Sequence, residues 1–361
     1  MSGAGASQED FSKLTSYEKW LEAEGLPVIR GFHIDDLKRV ELAPWKRKGG
    51  LGTYINLEGT GGTNDAYVVE IGPGGSLKPE KYLYEELVYV LSGRGATTIW
   101  NEGGSKQTFE WQAGSLFSPP LNTWRQHFNG QGDRPARLLG VTSAPTVINL
   151  FHNMDFIFNN PFVFEDRYSA EDAYFSGSGK TYFNRIWESN FISDVPTFAL
   201  LDKSWRGAGG KGIMFEMSNN TMAAHISEFP VGTYKNGHRH GPGAHVIVIS
   251  GEGYSLLWQE GKPMTRVDWH AGSMFVPPEM WFHQHFNVGA TPARYLALRW
   301  GSLKHRMGGT FSVTGSDEGI SREGGNKIEY EDEDPEIRRM FEAELARRGV
   351  ESRMAPFFQK K

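Results

Sequence analysis

Two stretches of this chain occur twice, in the same order and at one fixed spacing. ELVYVLSGRGATTIW at Glu86–Trp100 answers AHVIVISGEGYSLLW at Ala244–Trp258, and WQAGSLFSPPLNTWRQHFN at Trp111–Asn129 answers WHAGSMFVPPEMWFHQHFN at Trp269–Asn287. Gly93 and Gly251, Gly114 and Gly272, and Asn129 and Asn287 are each 158 positions apart. A register held over stretches this long means one folding unit written twice. Within each copy, short apolar runs are cut by Gly, Pro and Asn, the signature of strands and tight turns. The 44 glycines and 18 prolines among 361 residues fit that pattern better than a helical bundle. The expected architecture is all-β, with two copies of one strand-built barrel in tandem.

The second copy carries a feature that the first lacks. GTYKNGHRHGPGAHVIVISG (Gly232–Gly251) places His238 and His240 one residue apart, so on an extended segment both side chains leave the same face. PPEMWFHQHFN (Pro277–Asn287) adds His283. Neutral imidazoles converging from two strands suit Fe, Mn, Ni, Cu or Zn. Two motifs that bring three histidines with matching parity point to metal binding rather than to three core histidines.

These spacings resemble the two motifs of the cupin superfamily: Gly232, five residues, His238-Arg239-His240, and then Gly272, five residues, Pro278, with His283 and Asn287 beyond. The resemblance implies a duplicated double-stranded β-helix, a bicupin of two jelly-roll barrels. Most cupins place a glutamate four residues after the second histidine, where this chain has Ala244. Three histidines without that carboxylate look like the gentisate and 1-hydroxy-2-naphthoate dioxygenases, which hold Fe(II) and cleave an aromatic ring with O2. In that group the metal usually lies in the N-terminal barrel; here the histidines lie in the C-terminal one.

The fixed register lets the copies be compared position by position. Opposite His238, His240 and His283 the first copy has Glu80, Tyr82 and Arg125, while Ala244 is matched by Glu86. The first copy should hold no metal, and Glu86 and Arg125 should pair with each other, as buried opposite charges must. His245 matches Leu87 and should point away from the metal, unless a bulge after Pro242-Gly243 turns it inward as a fourth ligand. His285 matches His127, so it reads as structural, with a supporting or acid–base role as the alternative. Candidate substrate contacts are His225 as a polar wall and Trp258 and Trp281 as sides of an apolar slot. Arg299, which matches Thr142, would clamp a carboxylate bidentately. The plainer readings are barrel core for the aromatics and a solvated strand-edge charge for Arg299. The sequence assigns no catalytic residue.

Composition narrows the partners. With 38 Lys and Arg against 43 Asp and Glu, there is no basic surplus to attract nucleic acid or an anionic membrane. A small-molecule substrate, with O2 for the dioxygenase reading, fits better. The absence of cysteine excludes disulfides, thiolate ligands and cysteine-held iron–sulfur clusters. MSGAGASQEDFSK has no basic region leading into an apolar run, and no segment approaches a membrane span, so a cytoplasmic location is expected.

In chain order, residues 1–45 read as an N-terminal helical arm with Tyr17, Trp20, Leu21 and Leu26 at near-helical spacing before Pro27. Residues 46–147 form the first barrel, its metal site lost. Residues 148–200, dense in Phe and Asn, are too apolar for a flexible linker and read as an ordered inter-barrel connection, with room for an added strand. Residues 201–307 form the second barrel; its GAGGKG run lacks phosphate-loop spacing and reads as a turn. Residues 308–361 comprise a Gly, Ser and Thr-rich stretch that reads as a mobile loop and a C-terminal helix over Asp334–Gly349, with a Met340, Phe341 and Leu345 stripe. The arm and this helix make a homodimer or higher homo-oligomer the expectation.

Three functions follow. The leading one is a non-haem Fe(II) dioxygenase that cleaves a small hydroxylated, aromatic-acid substrate with O2. The alternative is a redox-neutral lyase, isomerase or hydrolase acting on a small carboxylated substrate with Mn, Ni or Zn as well as Fe as candidate metals. The third is a non-catalytic bicupin that binds a small molecule. A carboxylate ligand would favour Mn2+ chemistry of the oxalate-decarboxylase kind, and Ala244 weighs against it.

Overall fold

The strands Glu86–Ser92 and His245–Ser250 are unbroken apolar runs rather than alternating ones. A strand reads this way when both of its faces are covered. The structure, a computed structural model that describes residues 13–308 and 325–358, shows what covers them. Leu87, Leu116, Leu139 and Val141 of the first barrel share one buried cluster with Ile247, Met274, Leu296 and Leu298 of the second. Full burial of each such side chain is worth roughly 1.5–3 kcal/mol. Gln107–Gln112 and Thr265–His270 alternate buried and exposed positions instead, because only one of their faces is covered.

The two halves repeat one sheet plan. In the first, Gly50–Ile55, Asp65–Ile71, Ala136–Thr142, Glu86–Ser92 and Leu116–Phe117 follow one another in an eight-stranded sheet. Trp124–Asn129, Arg94–Trp100 and Gln107–Gln112 make a separate three-stranded one. In the second, Lys211–Glu216, Met222–Phe229, Ala293–Trp300, His245–Ser250 and Met274–Phe275 follow one another in a nine-stranded sheet beside the trio Thr265–His270, Glu252–Trp258 and Phe282–Asn287. Cross-strand pairs recur as well: Leu138 faces Val69 as Tyr295 faces Ser227, and Gly140 faces Tyr67 as Ala297 faces His225. The turn after Asn287 is one residue shorter than the turn after Asn129, so on the last strand the offset becomes 157.

The halves also interlock. His33–Ile34, from the N-terminal arm, pairs with Met274–Phe275 of the second barrel, and Phe191–Ile192, from the connection, pairs with Leu116–Phe117 of the first. A loop of the first barrel props the histidine segment of the second. The Gly243 N–H donates to Gly59 O at 2.9 Å, and Asn64 Nδ2 donates to Gly243 O at 2.8 Å. A side chain at Gly59 would begin 2.2 Å from the Val276 carbonyl oxygen, so this close approach requires glycine.

Helices sit where the caps and apolar stripes place them. Thr15 and Glu18 form a capping box on Ser16–Glu24, Gly25 ends it at φ 67°, and Tyr17, Trp20 and Leu21 are buried beside Trp45 and Tyr54 of the first barrel. The C-terminal helix spans Pro335–Arg348, capped by Asp334 and ended by Gly349. Its buried stripe is Ile337, Phe341 and Leu345, every fourth residue; of the expected Met340, Phe341 and Leu345 the last two are buried in it and Met340 packs at its side, against a cluster with Tyr234, Tyr254 and Phe286. The connection contains two short helices that its sequence did not announce, Ala144–Phe151 and Met154–Phe158, the second capped by the Asn153 side chain. Elements of eight and five residues are too short to show a period. The glycine-rich loop expected over Gly308–Gly325 lies, apart from its two ends, outside the described residues. Among the described residues no helix is long and apolar enough to cross a membrane.

Candidate metal centre

The His238-Arg239-His240 segment belongs to no strand; isolated bridges join Tyr234 to Phe286 and His238 to both His283 and Lys327. The His238 N–H donates to His283 O at 3.0 Å and the His283 N–H to His238 O at 2.8 Å, which ties the two motifs together. His238, His240 and His283 thereby converge. Their ring centroids lie 4.3 to 5.8 Å apart, and one ligand nitrogen from each comes within 4.8 Å of the others. Each Nδ1 has a backbone carbonyl beside it: Asn236 O at 3.2 Å, Gly241 O at 2.8 Å and Trp281 O at 3.2 Å, respectively. An Nδ1–H spent on a carbonyl leaves the Nε2 lone pair for a metal and fixes the ring's orientation. Burial, and then neighbouring cationic and histidine groups, hold His238 and His240 well below the usual imidazole range. His283 lies at about 4, chiefly through burial. Three neutral imidazoles on one side of a cavity fit a divalent transition metal and leave positions open for other ligands.

The cavity beside them is small and basic. His225, His238 and His240 line it with Lys203, Arg206, Lys235 and Arg299, and its free volume is about 40 Å³. Among the described residues no carboxylate lines it. Arg299 is 8% exposed and faces this space, so it is not a solvated strand-edge charge. His225 has a buried Nδ1 and stands edge-on to Tyr295, with ring centroids 5.9 Å apart. A larger cleft of about 550 Å³, bounded by Arg94, Glu110, Trp111 and Phe191, belongs to the first barrel and has no histidine on its walls.

Trp258 and Trp281 do not line the cavity, which corrects the expected apolar slot. Trp258 stacks on Phe282 at 5.7 Å in the cluster beneath the C-terminal helix, and Trp281 packs against Phe32 of the arm. Strand parity alone does not say which surface covers an outward aromatic. His245 stands apart from the triad; it faces Leu298 across the strand pair on the inter-barrel side, with its Nδ1 3.3 Å from Gly243 O. His285 Nδ1 bonds Ser255 Oγ at 2.8 Å, and Trp269 Nε1 donates to the same oxygen. His127, Thr97 and Trp111 repeat this arrangement in the first barrel. A relay present with and without the histidine triad is part of the barrel's construction.

The first barrel closes its matching position with charge. Arg125 Nη1 lies 3.0 Å from Glu86 Oε2 at 1% and 0% side-chain exposure, and the guanidinium sits 4.0 Å from the Tyr82 ring centroid. Tyr67 and Tyr82 donate to Glu86, and Lys48 and Arg47 pair with Glu80. Burial by itself would raise the Glu80 carboxyl, but Lys48 and Arg47 beside it prevail and hold it at about 2, below its usual 4.5. This contribution is fully present above pH 4.5 and is lost as the pH falls toward 2, on the order of 3 kcal/mol. Acid unfolding followed by circular dichroism is expected to show wild-type stability falling through that window. Glu80→Gln should be less stable at neutral pH and flatter across it; equal slopes would remove Glu80 from the account.

Sequence reasoning did not single out Lys203, Arg206, Ser227, Lys235 or Tyr295. For three of them the signal was present in the repeat: Ser227, Lys235 and Tyr295 stand where the first copy has Val69, Leu77 and Leu138.

No protein-family model matches the chain, and no curated protein sequence does. Solved structures do. One is an oxalate decarboxylase studied for its substrate binding mode and reaction specificity, at 15% identity over 77% of this chain and 79% of that one, TM-score 0.50. A variant of the Bacillus subtilis oxalate decarboxylase matches at the same identity, coverage and TM-score. The fold is a bicupin. At this identity the likeness speaks for the architecture alone, so the chemistry of this bicupin must be read from its own side chains.

Proposed function

We propose that this bicupin is a metal-dependent enzyme that transforms a small carboxylated substrate by redox-neutral chemistry, as a lyase or isomerase. One observation carries the reading: His238 and His240 of the triad open onto a cavity of about 40 Å³ that Lys203, Arg206, Lys235 and Arg299 also line, with no acidic side chain on its walls among the described residues. Three neutral ligands leave a bound divalent ion its full charge, and the cavity wall beside it is built of basic residues. An occupant with two or more acidic oxygens balances that field; a bare aromatic ring does not. The volume points the same way, since by this measure one water needs about 10–15 Å³.

Here His238, His240 and His283 hold the metal, which when bound supplies a Lewis acid to polarise a substrate oxygen. Arg299 takes a carboxylate in a two-pronged grip, with Lys203 and Arg206 on the same cavity wall. The second barrel replaces the usual cupin carboxylate with Ala244, so the charge that such a ligand would supply comes with the substrate instead.

Elemental analysis of protein purified without added metal, followed by NMR of small di- and tricarboxylates with and without O2, tests this. About one divalent metal per chain and turnover that does not depend on O2 are expected. Turnover with matching O2 consumption would return the protein to the ring-cleaving Fe(II) dioxygenase reading, and a metal-free protein would leave a binding function.

A further inference from the structure

The interior of the second barrel contains a polar cluster that the first lacks. Tyr295 lies across the strand pair from Ser227, and Lys235 Nζ donates to the Tyr295 hydroxyl at 3.0 Å and to Ser227 Oγ. Tyr295, Ser227 and Lys235 are only 8%, 1% and 5% exposed, yet all three border the cavity that His238, His240 and Arg299 line. In the first barrel the same three places are hydrocarbon. Leu138 pairs with Val69 as Tyr295 pairs with Ser227, and Leu77 donates its backbone N–H to His127 O as Lys235 does to His285 O. Val69, Leu77 and Leu138 are plain core residues.

The repeat thus supplies an internal control. The barrel closes without a polar group at any of these positions, and burying an amine and a phenol costs about 1–3 kcal/mol or more for each group left imperfectly paired. Packing does not account for a cluster found only beside the histidine triad.

We propose that Tyr295 is the proton-transfer group of this site, with Lys235 and Ser227 positioning its hydroxyl; the assignment rests on the redox-neutral reading above. When the bond between a substrate carbon and its carboxylate breaks heterolytically, carbon dioxide leaves and the electron pair stays with that carbon. The Tyr295 O–H bond then breaks, its proton goes to the carbon, and its electron pair remains on the phenolate oxygen against Lys235. Water returns a proton to the phenolate, and no oxidant or reductant is consumed.

The groups facing Tyr295 are compatible with that role. His225 and Ser227 lie on the adjacent strand, His285 is 5.4 Å away between ring centroids, and Lys235 and Arg206 come from the loops. Burial raises the phenol, but the charge and hydrogen bond of Lys235, with Ser227, outweigh it and bring it below its usual 10. Tyr67, Tyr82, Tyr234 and Tyr254 are displaced upward instead, chiefly by burial, so the Tyr295 signal is separable from theirs.

An ultraviolet difference titration of the purified protein tests the assignment. The wild type is expected to form one more tyrosinate per chain below pH 10 than Tyr295→Phe does, and Lys235→Met should move that extra ionisation upward. On the carboxylic acid found by the NMR panel, Tyr295→Phe should lose about 10²–10⁴-fold in turnover, with metal content per chain unchanged. Equal numbers of tyrosinates below pH 10 in the wild type and Tyr295→Phe, or turnover that survives Tyr295→Phe, overturn the assignment. Loss of metal in step with turnover also overturns it, by making the role structural. O2 consumption by the wild type with its tyrosinate signal intact would instead overturn the reading of the reaction, leaving Tyr295 as the ionising group.

Discussion

His283→Ala is expected to give a folded protein that retains no metal through desalting, and His238→Ala the same. Their rings stand 4.3 Å apart, on two motifs tied by a reciprocal pair of backbone hydrogen bonds. Those bonds do not involve the imidazoles, so the scaffold survives the loss of either ring. What fails is the donor set: two imidazoles leave a divalent ion mostly dependent on water. Elemental analysis beside a circular-dichroism melt reads both halves of the expectation. Metal retained at the wild-type level in both variants would place the site elsewhere. A collapsed melt would mean that the imidazoles hold up the fold.

Arg125→Ala is expected to do the reverse, leaving metal content unchanged and lowering stability by about 3–5 kcal/mol, because Glu86 would remain buried without its cation. At the usual scaling for chains of this size that is a fall of roughly 4–7 °C in Tm. Tyr67 and Tyr82 would still donate to Glu86, which sets a floor under the loss. The paired change Arg125→Met with Glu86→Gln removes both charges while keeping volume, and should recover most of the stability. A double variant no more stable than Arg125→Ala would show that packing around the guanidinium, including its contact with Tyr82, matters more than the charge. Metal lost from Arg125→Ala as completely as from His283→Ala would overturn the one-site reading.

Much of this was visible in the chain itself because it depends on local spacing. The offset of 158 announced two copies of one barrel, and the parity of His238 and His240 brought two imidazoles to one face before any partner strand was known. The same register exposed Glu80, Tyr82 and Arg125 as the replacement of the triad, and Glu86 as the partner of Arg125, a pairing that the structure contains. Caps made the C-terminal helix legible, since Asp334, Pro335 and Gly349 act within one turn of their own positions.

Contacts between distant segments were not visible. Trp258 and Trp281 have the composition of a substrate wall, but the C-terminal helix and the arm cover them, and no strand period encodes what comes to rest on its outer face. The exchange of His33–Ile34 and Phe191–Ile192 between the barrels escaped notice because two-residue strands have no pattern of their own. The sequence by itself determined the duplication, the histidine triad and its loss from the first copy, since each follows from residue type at fixed spacing. Only the tertiary structure decided that Lys203, Arg206, Lys235 and Arg299 converge on the triad, with Tyr295 bonded to Lys235. The charge field of a cavity is a sum over side chains that the fold, not the order of the chain, brings together.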